Sequence, residues 1–249
     1  MFKIVLNTIV CFIFFSTINA ANVLPQDMQK CANSDESCLT KTGQMIVTNY
    51  AKSGLRELNL TPFDPLHIKS MVLEKNPASP VNIELSFNDV NLNGLQNLKI
   101  KKLKGLDANL KEITEVEAEV PSLSLEGPYS INGKVLVLPI VGKGDCKIIL
   151  DNTHIAAKIK LKPVQKSGKT YAEVESIKLE LSPKHVSFSL SGLFNNDKQL
   201  SDTMHTLLNE NWSEIFNELK PEISKALGLI IKLIINNVFA KYPYEEYFA

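Results

Sequence analysis

Residues 196–248 read NDKQLSDTMHTLLNENWSEIFNELKPEISKALGLIIKLIINNVFAKYPYEEYF. Large apolar residues recur there every three or four positions, which is the spacing of one helix face. The stripe far exceeds the ~11–12 residues of an average globular helix. Pro221 interrupts it without shifting its phase, so we predict one long helix that is kinked at this proline. The stripe comprises Leu200, Met204, Leu207, Leu208, Trp212, Ile215, Phe216, Leu219, Ile223, Leu227, Ile230, Ile234 and Val238.

A helix with so broad an apolar face needs an apolar partner, and residues 68–190 supply it. Apolar and polar side chains alternate there with a period of two, which is typical of strands with one buried face. Turn-forming residues predict where these strands end. The alternating runs lie at 83–87, 116–120, 155–161, 177–181 and 186–190, and the turn signals are Asn93-Gly94, Gly127-Pro128, Asn132-Gly133, Gly142-Lys143-Gly144, Ser167-Gly168 and Ser182-Pro183.

The spacing of these strands leaves no room for crossover helices, which excludes a doubly wound parallel sheet. Residues 38–58 are predicted to form a shorter amphipathic helix, with Ser34 or Asp35 as its cap. The predicted fold class is therefore α+β: a long, highly curved antiparallel β-sheet wrapped around the long carboxy-terminal α-helix. Because a curved sheet and a helix rarely fill the space between them, we expect an enclosed apolar tunnel.

The amino terminus has the features of a secretory signal peptide, residues 1–20. Lys3 precedes an apolar run at 4–15, and Asn19-Ala20-Ala21 supplies the small residues of a cleavage site. The alternative is a membrane anchor, but the run is shorter than the ~20 residues that span a bilayer. We therefore predict a secreted protein whose residues 21–249 form a single domain.

Charge and cysteine content fit an extracellular setting. The 27 basic residues balance 27 acidic ones, which argues against a nucleic-acid-binding protein or a cationic membrane-attacking protein. Cys31 and Cys38 lie close in sequence and are expected to form a disulfide in an oxidising compartment. Cys146 is left as a buried free thiol or, alternatively, as an intermolecular bridge. Asn59 and Asn211 each begin an acceptor pattern for N-glycosylation.

Motifs for catalysis and for cofactor binding are missing from the sequence. It has no G-x-S-x-G nucleophile turn, and Gly142-Lys143-Gly144 lacks the helix that follows a phosphate loop. The histidines His67, His154, His185 and His205 are scattered, without the paired spacing of a metal site. We therefore predict a non-enzymatic protein with no metal and no cofactor.

Residues 135–141, VLVLPIV, are apolar at successive positions, so this strand is expected to be covered on both faces. Together with the helix it supplies walls for the tunnel, whose occupant is then an apolar ligand. The alternative is that all of these residues form an ordinary core. The predicted ligand-binding residues are Leu85, Phe87, Val137, Ile140, Phe188, Trp212, Phe216 and Leu219.

An ordered set of short motifs runs along the chain. It comprises Leu24-Pro25 ahead of Cys31 and Cys38-Leu39, then Asp64-Pro65-Leu66, Gly133-Lys134-Val135, Leu138-Pro139-Ile140, Gly142-Lys143-Gly144, residues 208–212 (LNENW), Leu219-Lys220-Pro221 and residues 242–248 (YPYEEYF). In this order and spacing the chain resembles the insect takeout and haemolymph juvenile-hormone-binding protein family, within the tubular lipid-binding superfamily.

The resemblance implies a tubular lipid-binding domain over residues 21–249, in which a long α-helix lies inside a curved antiparallel sheet. It also implies reversible carriage of a juvenile hormone, another terpenoid or a fatty acid-like lipid. The Cys31–Cys38 pair matches the family's amino-terminal disulfide. Because only Cys146 remains for the second disulfide of the moth hormone carriers, the chain looks more like the takeout branch, which implies a circadian or feeding-related role.

Three functions remain open from the sequence. The first is a secreted carrier of a small hydrophobic ligand, without nucleic-acid binding or stable membrane insertion. The second is an extracellular signalling or interaction protein whose interior is filled by its own side chains. The third is a membrane-active defence protein, which the neutral net charge disfavours.

Overall fold

The computed structural model describes Pro25 and residues 28–249. The predicted signal peptide, residues 1–20, lies outside the described residues. The main helices are α1 (Glu36–Tyr50), α2 (Lys198–Glu210) and α3 (Trp212–Phe239). The strands are β1 (Leu66–Leu73), β2 (Val81–Asn93), β3 (Lys99–Lys104), β4 (Ile113–Val135), β5 (Leu138–Lys166), β6 (Lys169–Ser182) and β7 (His185–Leu190).

The seven strands of the described chain form a single antiparallel sheet with the order β1-β2-β4-β5-β6, to which β3 adds beside β4 and β7 beside β5. Helix α3 contacts β6 at one end of this order and β1 at the other. Both ends can reach one helix only because the sheet curls around it. The predicted α+β fold, a curved antiparallel sheet wrapped around a long carboxy-terminal helix, is confirmed.

Strands β4 and β5 are far longer than the sequence indicates. The turns predicted at Gly127-Pro128, Asn132-Gly133 and Gly142-Lys143-Gly144 are wrong, because these residues lie inside the two strands. Gly127 and Gly133 have φ values of 139° and 156°, and a Cβ atom on Gly133 would lie 2.3 Å from the Asn82 carbonyl oxygen. These glycines therefore allow the strands to approach closely as the sheet coils, rather than reversing the chain.

The true hairpin turn between β4 and β5 falls at Leu136 and Val137. The prediction that residues 135–141 form a strand covered on both faces is therefore wrong for most of this segment. Val135 and Ile140 are buried, but Val137 is 79% exposed and Val141 is 52% exposed. Ile140 and Val141 face opposite sides of β5, so only one face of this strand is covered.

The predicted single carboxy-terminal helix is divided at Asn211 into α2 and α3. Asn211 has φ −105° and ψ 24°, and its Nδ2 donates to the Leu207 carbonyl at 2.9 Å, which satisfies the end of α2. Helix α3 then begins at Trp212 and passes through Pro221. The helix is therefore divided beside a side-chain amide that bonds to a helix carbonyl. Pro221 lies within α3, and a kink at this proline stays a prediction.

Helix α1 also ends earlier than the predicted Leu58. Its start is capped as expected by Asp35, whose carboxylate accepts a hydrogen bond from the Cys38 backbone N–H at 3.0 Å. Gly54 adopts a φ of 67° and donates its N–H to the Tyr50 carbonyl at 2.8 Å, which is a glycine-terminated helix end.

The described cysteines behave as the sequence indicates. Cys31 and Cys38 are joined by a disulfide, and Cys146 is a buried free thiol on β5. The bridge ties the segment before α1 to the first turns of this helix. Phe248 forms a β-bridge with Cys31, so the two ends of the described chain meet at this disulfide.

We expect Cys146 to resist alkylation in the folded protein. Burial raises the pKa of its thiol to about 11, so almost no thiolate forms at about pH 8. Iodoacetamide followed by mass spectrometry should modify Cys146 only after unfolding in urea. Modification of the native protein at the unfolded rate would contradict this burial.

The same shift gives a pH dependence of the free energy of unfolding. Because the folded pKa lies above the ordinary value of about 8.5, the buried neutral thiol stabilises the fold fully below that value. This contribution is lost as the pH rises towards about 11. Urea titrations should show a smaller alkaline loss of stability for Cys146→Ala than for the unsubstituted chain.

Candidate ligand-binding cavity

A cavity of about 150 Å³ lies between α3 and the concave face of the sheet. Every side chain that lines it is an apolar Leu, Ile, Met, Phe or Val. The wall comprises Leu66, Met71, Leu73, Leu85, Phe87, Leu92, Leu95, Leu123, Leu125, Ile148, Leu150, Ile155, Leu179, Leu181, Val186, Phe188, Phe216, Leu219, Ile223, Leu227 and Ile231. Apolar cavities of this order stay dry and take up apolar molecules.

Strand register builds the sheet side of this wall. One row of cross-strand neighbours passes over β1, β2, β4, β5 and β7, and each of its members lines the cavity. This row is Leu66, Leu92, Leu125, Ile148 and Phe188. A shorter row beside it pairs Leu123 with Leu150 and Leu150 with Val186. Side chains that are opposite in an antiparallel ladder point to the same face, so the register alone produces a continuous apolar surface.

Helix α3 supplies the opposite side of the wall. Five of its side chains, from Phe216 through Leu219, Ile223 and Leu227 to Ile231, recur at steps of three or four and line the cavity. Phe216 and Ile231 are fifteen residues apart, which corresponds to about 22 Å at 1.5 Å per residue. The cavity is therefore elongated along the helix axis.

Side chains from the helices complete the open edges of the sheet. Asn209 on α2 accepts a hydrogen bond from the Phe188 N–H at 2.8 Å and donates to the Phe188 carbonyl at 3.0 Å. His205 Nε2 accepts from the Leu190 N–H at 3.0 Å. On the other edge, Asn236 of α3 accepts from the Val174 N–H at 2.8 Å. These contacts cover edges that would otherwise be free to pair with another chain, and they hold Phe188 in the wall.

No residue of the cavity wall carries a titratable side chain. Tyr244 and Tyr247, in the aromatic cluster at the chain's end, have pKa values raised by burial. Neither lies in the wall. Within residues 28–249, no group of three His, Cys, Asp or Glu side chains is arranged to hold a metal ion. The arrangement can enclose an apolar molecule, and it places no acid, base or nucleophile beside it.

Five of the eight predicted ligand-binding residues lie together in this wall: Leu85, Phe87, Phe188, Phe216 and Leu219. Their role in binding stays a prediction. The other three are placed elsewhere, for different reasons.

Val137 is wrong as a wall residue because it lies at the exposed hairpin turn. Ile140 is buried in the core, opposite Gly133 of β4, but outside the cavity wall. Trp212 packs against the core at the start of α3, with its ring centroid 5.4 Å from that of His185. It precedes Phe216 by one helix turn and does not border the cavity.

None of the wall residues on β1, β4, β5 and β6 was among the predicted ligand-binding residues. A period of two from Leu85 and Phe87 identifies which face of β2 is buried, but not which residues of other strands lie beside it. Register supplies that information: Leu73 lies opposite Leu85, and Met71 lies opposite Phe87. On β4 and β5, the apolar residues at 123 and 125 and at 148 and 150 were the sequence pattern that could have identified wall residues.

The predicted glycosylation sites differ in their surroundings. Asn59 is an exposed residue with a φ of 52° after a short helical turn. The Asn211 side chain is half-buried and donates to the Leu207 carbonyl, as described above. Modification at either position stays a prediction.

No helix in the described part of the chain is long and apolar enough to cross a bilayer. Helix α3 is long enough in residues, but charged side chains such as Lys225 and Lys232 recur along it. Its apolar face is turned to the sheet and the cavity instead.

Comparison with known proteins agrees with this architecture. The crystal structure of Takeout 1 from Epiphyas postvittana superposes with a TM-score of 0.74 and 28% sequence identity, covering 87% of this chain and 97% of that one. The circadian clock-controlled protein daywake of Drosophila melanogaster is 31% identical over 236 residues, which is 93% of this chain and 90% of that protein. Daywake of Drosophila yakuba is 28% identical over the same length. The family model for haemolymph juvenile hormone binding protein matches residues 9–249, and the chain therefore belongs to this family.

Proposed function

We propose that this protein is an extracellular, non-enzymatic carrier that reversibly binds one small hydrophobic ligand in the cavity between α3 and the sheet. Residues 1–20 direct its secretion in this proposal and are removed. The observation that carries the proposal is the wall itself, an unbroken apolar surface on both the sheet and the helix. Binding of an apolar ligand at such a surface lowers the free energy, because the ligand replaces water or fills empty space.

The length of the buried hydrocarbon sets the affinity that burial alone provides. Each buried methylene contributes about 0.8 kcal/mol, so a chain of about 15 carbons contributes on the order of 10 kcal/mol before costs. Association and ordering cost ~4–15 kcal/mol. Binding should therefore be micromolar at best on burial alone, which suits a carrier that must also release its ligand.

The half-buried positions on α3 support reversible binding. Leu219, Ile223, Leu227 and Ile231 line the cavity yet are not fully buried. The fully buried apolar side chains of this helix, Ile215 and Phe216, lie near its start. The rest of α3 is therefore packed less tightly, and a small displacement of this segment opens the cavity to a ligand.

The proposal is tested with protein secreted from insect cells and purified without detergent. Extraction and mass spectrometry should find a bound hydrophobic molecule, and delipidated protein should bind about one equivalent of the apolar fluorophore N-phenyl-1-naphthylamine. The fluorophore reports binding directly, which is necessary because Trp212 does not border the cavity. Absence of both a co-purified lipid and fluorophore binding would overturn the proposal.

The names of the two daywake relatives favour a clock-linked setting for this carriage. We propose that the abundance of this protein also varies with the time of day. Transcript and protein levels sampled over a daily cycle and then in constant darkness test this directly. Constant levels under both conditions would remove this part of the proposal and leave the carrier function untouched.

A further inference from the structure

No side chain of the cavity wall can hydrogen-bond to a ligand. All of its side chains are apolar. The backbone at the centre of the sheet is also engaged, because wall residues such as Leu125 and Ile148 have a neighbouring strand on each side. In such ladders the N–H and C=O groups bond to the adjacent strands.

Buried polar atoms without partners exist elsewhere in the described chain, but none of them reaches this wall. They are Asn82 Oδ1, Thr114 Oγ1, Thr153 Oγ1, Ser224 Oγ and the Tyr244 hydroxyl. Not one of these five residues lines the cavity. A ligand oxygen enclosed between the sheet and α3 would therefore lose its water and find no donor in return.

We infer that the enclosed part of the ligand is an uninterrupted hydrocarbon, such as an alkane, an alkene or an unoxidised terpene. This inference rests on the proposed carrier function and narrows its ligand class. Lipids that carry a ketone, hydroxyl or epoxide within the enclosed stretch are discriminated against. The cavity selects among ligands because it offers polar groups no hydrogen-bond partner. It does not select by a hydrogen bond to one preferred polar group.

A pair of ligands that differ by one central oxygen tests the inference. Undecane and 6-undecanone have the same chain length, and the central carbonyl cannot reach the end of the cavity while the chain is enclosed. Competition against bound N-phenyl-1-naphthylamine should show that delipidated protein binds undecane at least about tenfold more tightly. Equal or tighter binding of the ketone would overturn the inference. Failure of both ligands to displace a bound fluorophore would instead count against the proposed carrier function.

A hydroxyl introduced into the wall should change this preference. Val186 is fully buried in the wall, and Val186→Thr adds a donor with little change in volume. The undecane preference should fall by about two- to tenfold, which is the range of one net hydrogen bond. Val137→Thr makes the same change at the exposed hairpin turn and should leave the preference unaltered.

Phe188→Tyr, at a half-buried wall position, serves as a second variant where Val186→Thr does not fold. An unaltered preference in the folded wall variants would show that the ketone does not lie in this cavity, and it would overturn the inference. A smaller preference for undecane in a wall variant, together with an unchanged preference in Val137→Thr, supports the inference.

Discussion

Ile223→Trp should lower the affinity for apolar ligands at least about tenfold, because the indole ring occupies the space that the ligand needs. Ile223 lies near the middle of the α3 face that lines the cavity. A tryptophan in a cavity of about 150 Å³ leaves little room for a chain molecule. Forcing a ligand beside it would cost about 1–3 kcal/mol of overpacking, which corresponds to roughly five- to 150-fold in affinity. The fold should tolerate the change, because the new side chain enters existing empty space.

The matched control is Leu229→Trp on the same helix. Leu229 is 57% exposed and does not line the cavity, so its substitution should leave ligand affinity unchanged. Fluorophore titration measures both variants, and circular dichroism checks that both are folded. Equal affinities for the two folded variants would place the ligand somewhere other than this cavity.

Gly144→Val is expected to lower the free energy of unfolding by about 3 kcal/mol, the upper end of the usual cost of overpacking. A Cβ atom on Gly144 would lie 2.5 Å from the Ser191 carbonyl oxygen and 2.5 Å from Ser191 Oγ. Ser191 is held against β5 by its N–H, which donates to the Asp145 carbonyl at 2.9 Å. The obstacle is therefore backbone as well as side chain, and no change of rotamer relieves it. The segment that leads from β7 to α2 would have to move away from β5.

Lys143→Val tests whether the effect belongs to the position or to valine. Lys143 is the adjacent, exposed residue of the same strand, where a β-branched side chain is favourable or neutral. Urea unfolding should show a near-normal midpoint for Lys143→Val and a strongly reduced one for Gly144→Val. Comparable midpoints would mean that the close approach of Ser191 is not required for stability.

Gly144 also illustrates why turns were wrongly predicted from the local sequence at three places. Gly127-Pro128, Asn132-Gly133 and Gly142-Lys143-Gly144 are all turn-forming by composition, and none is a turn. A glycine serves equally where the chain reverses and where another backbone approaches within van der Waals distance. The sequence alone cannot distinguish a glycine at a turn from a glycine at a close backbone approach. Only the position of residues 82 and 191 in space distinguishes them.

The helical regions also could be predicted only in part from the sequence. The apolar stripe correctly indicated a long helical segment, because its period is a property of consecutive residues. The stripe did not reveal that the helix is divided at Asn211, since the apolar spacing continues across this residue from Leu208 to Trp212 and Ile215. The break depends on one side-chain amide bonding to the Leu207 carbonyl, and on α2 docking against β7 through His205 and Asn209.

The linear pattern was sufficient for the fold class, the apolar character of the interior, the Cys31–Cys38 disulfide and five of the eight proposed wall residues. These properties follow from period, composition and short spacings, which are local. Strand register and the curl of the sheet decided which side chains face one another across the cavity. Register aligned Leu66, Leu92, Leu125, Ile148 and Phe188 from five separate strands. It arises from pairing between residues far apart in the chain, so no single segment encodes it, and the cavity exists only once those pairings are made.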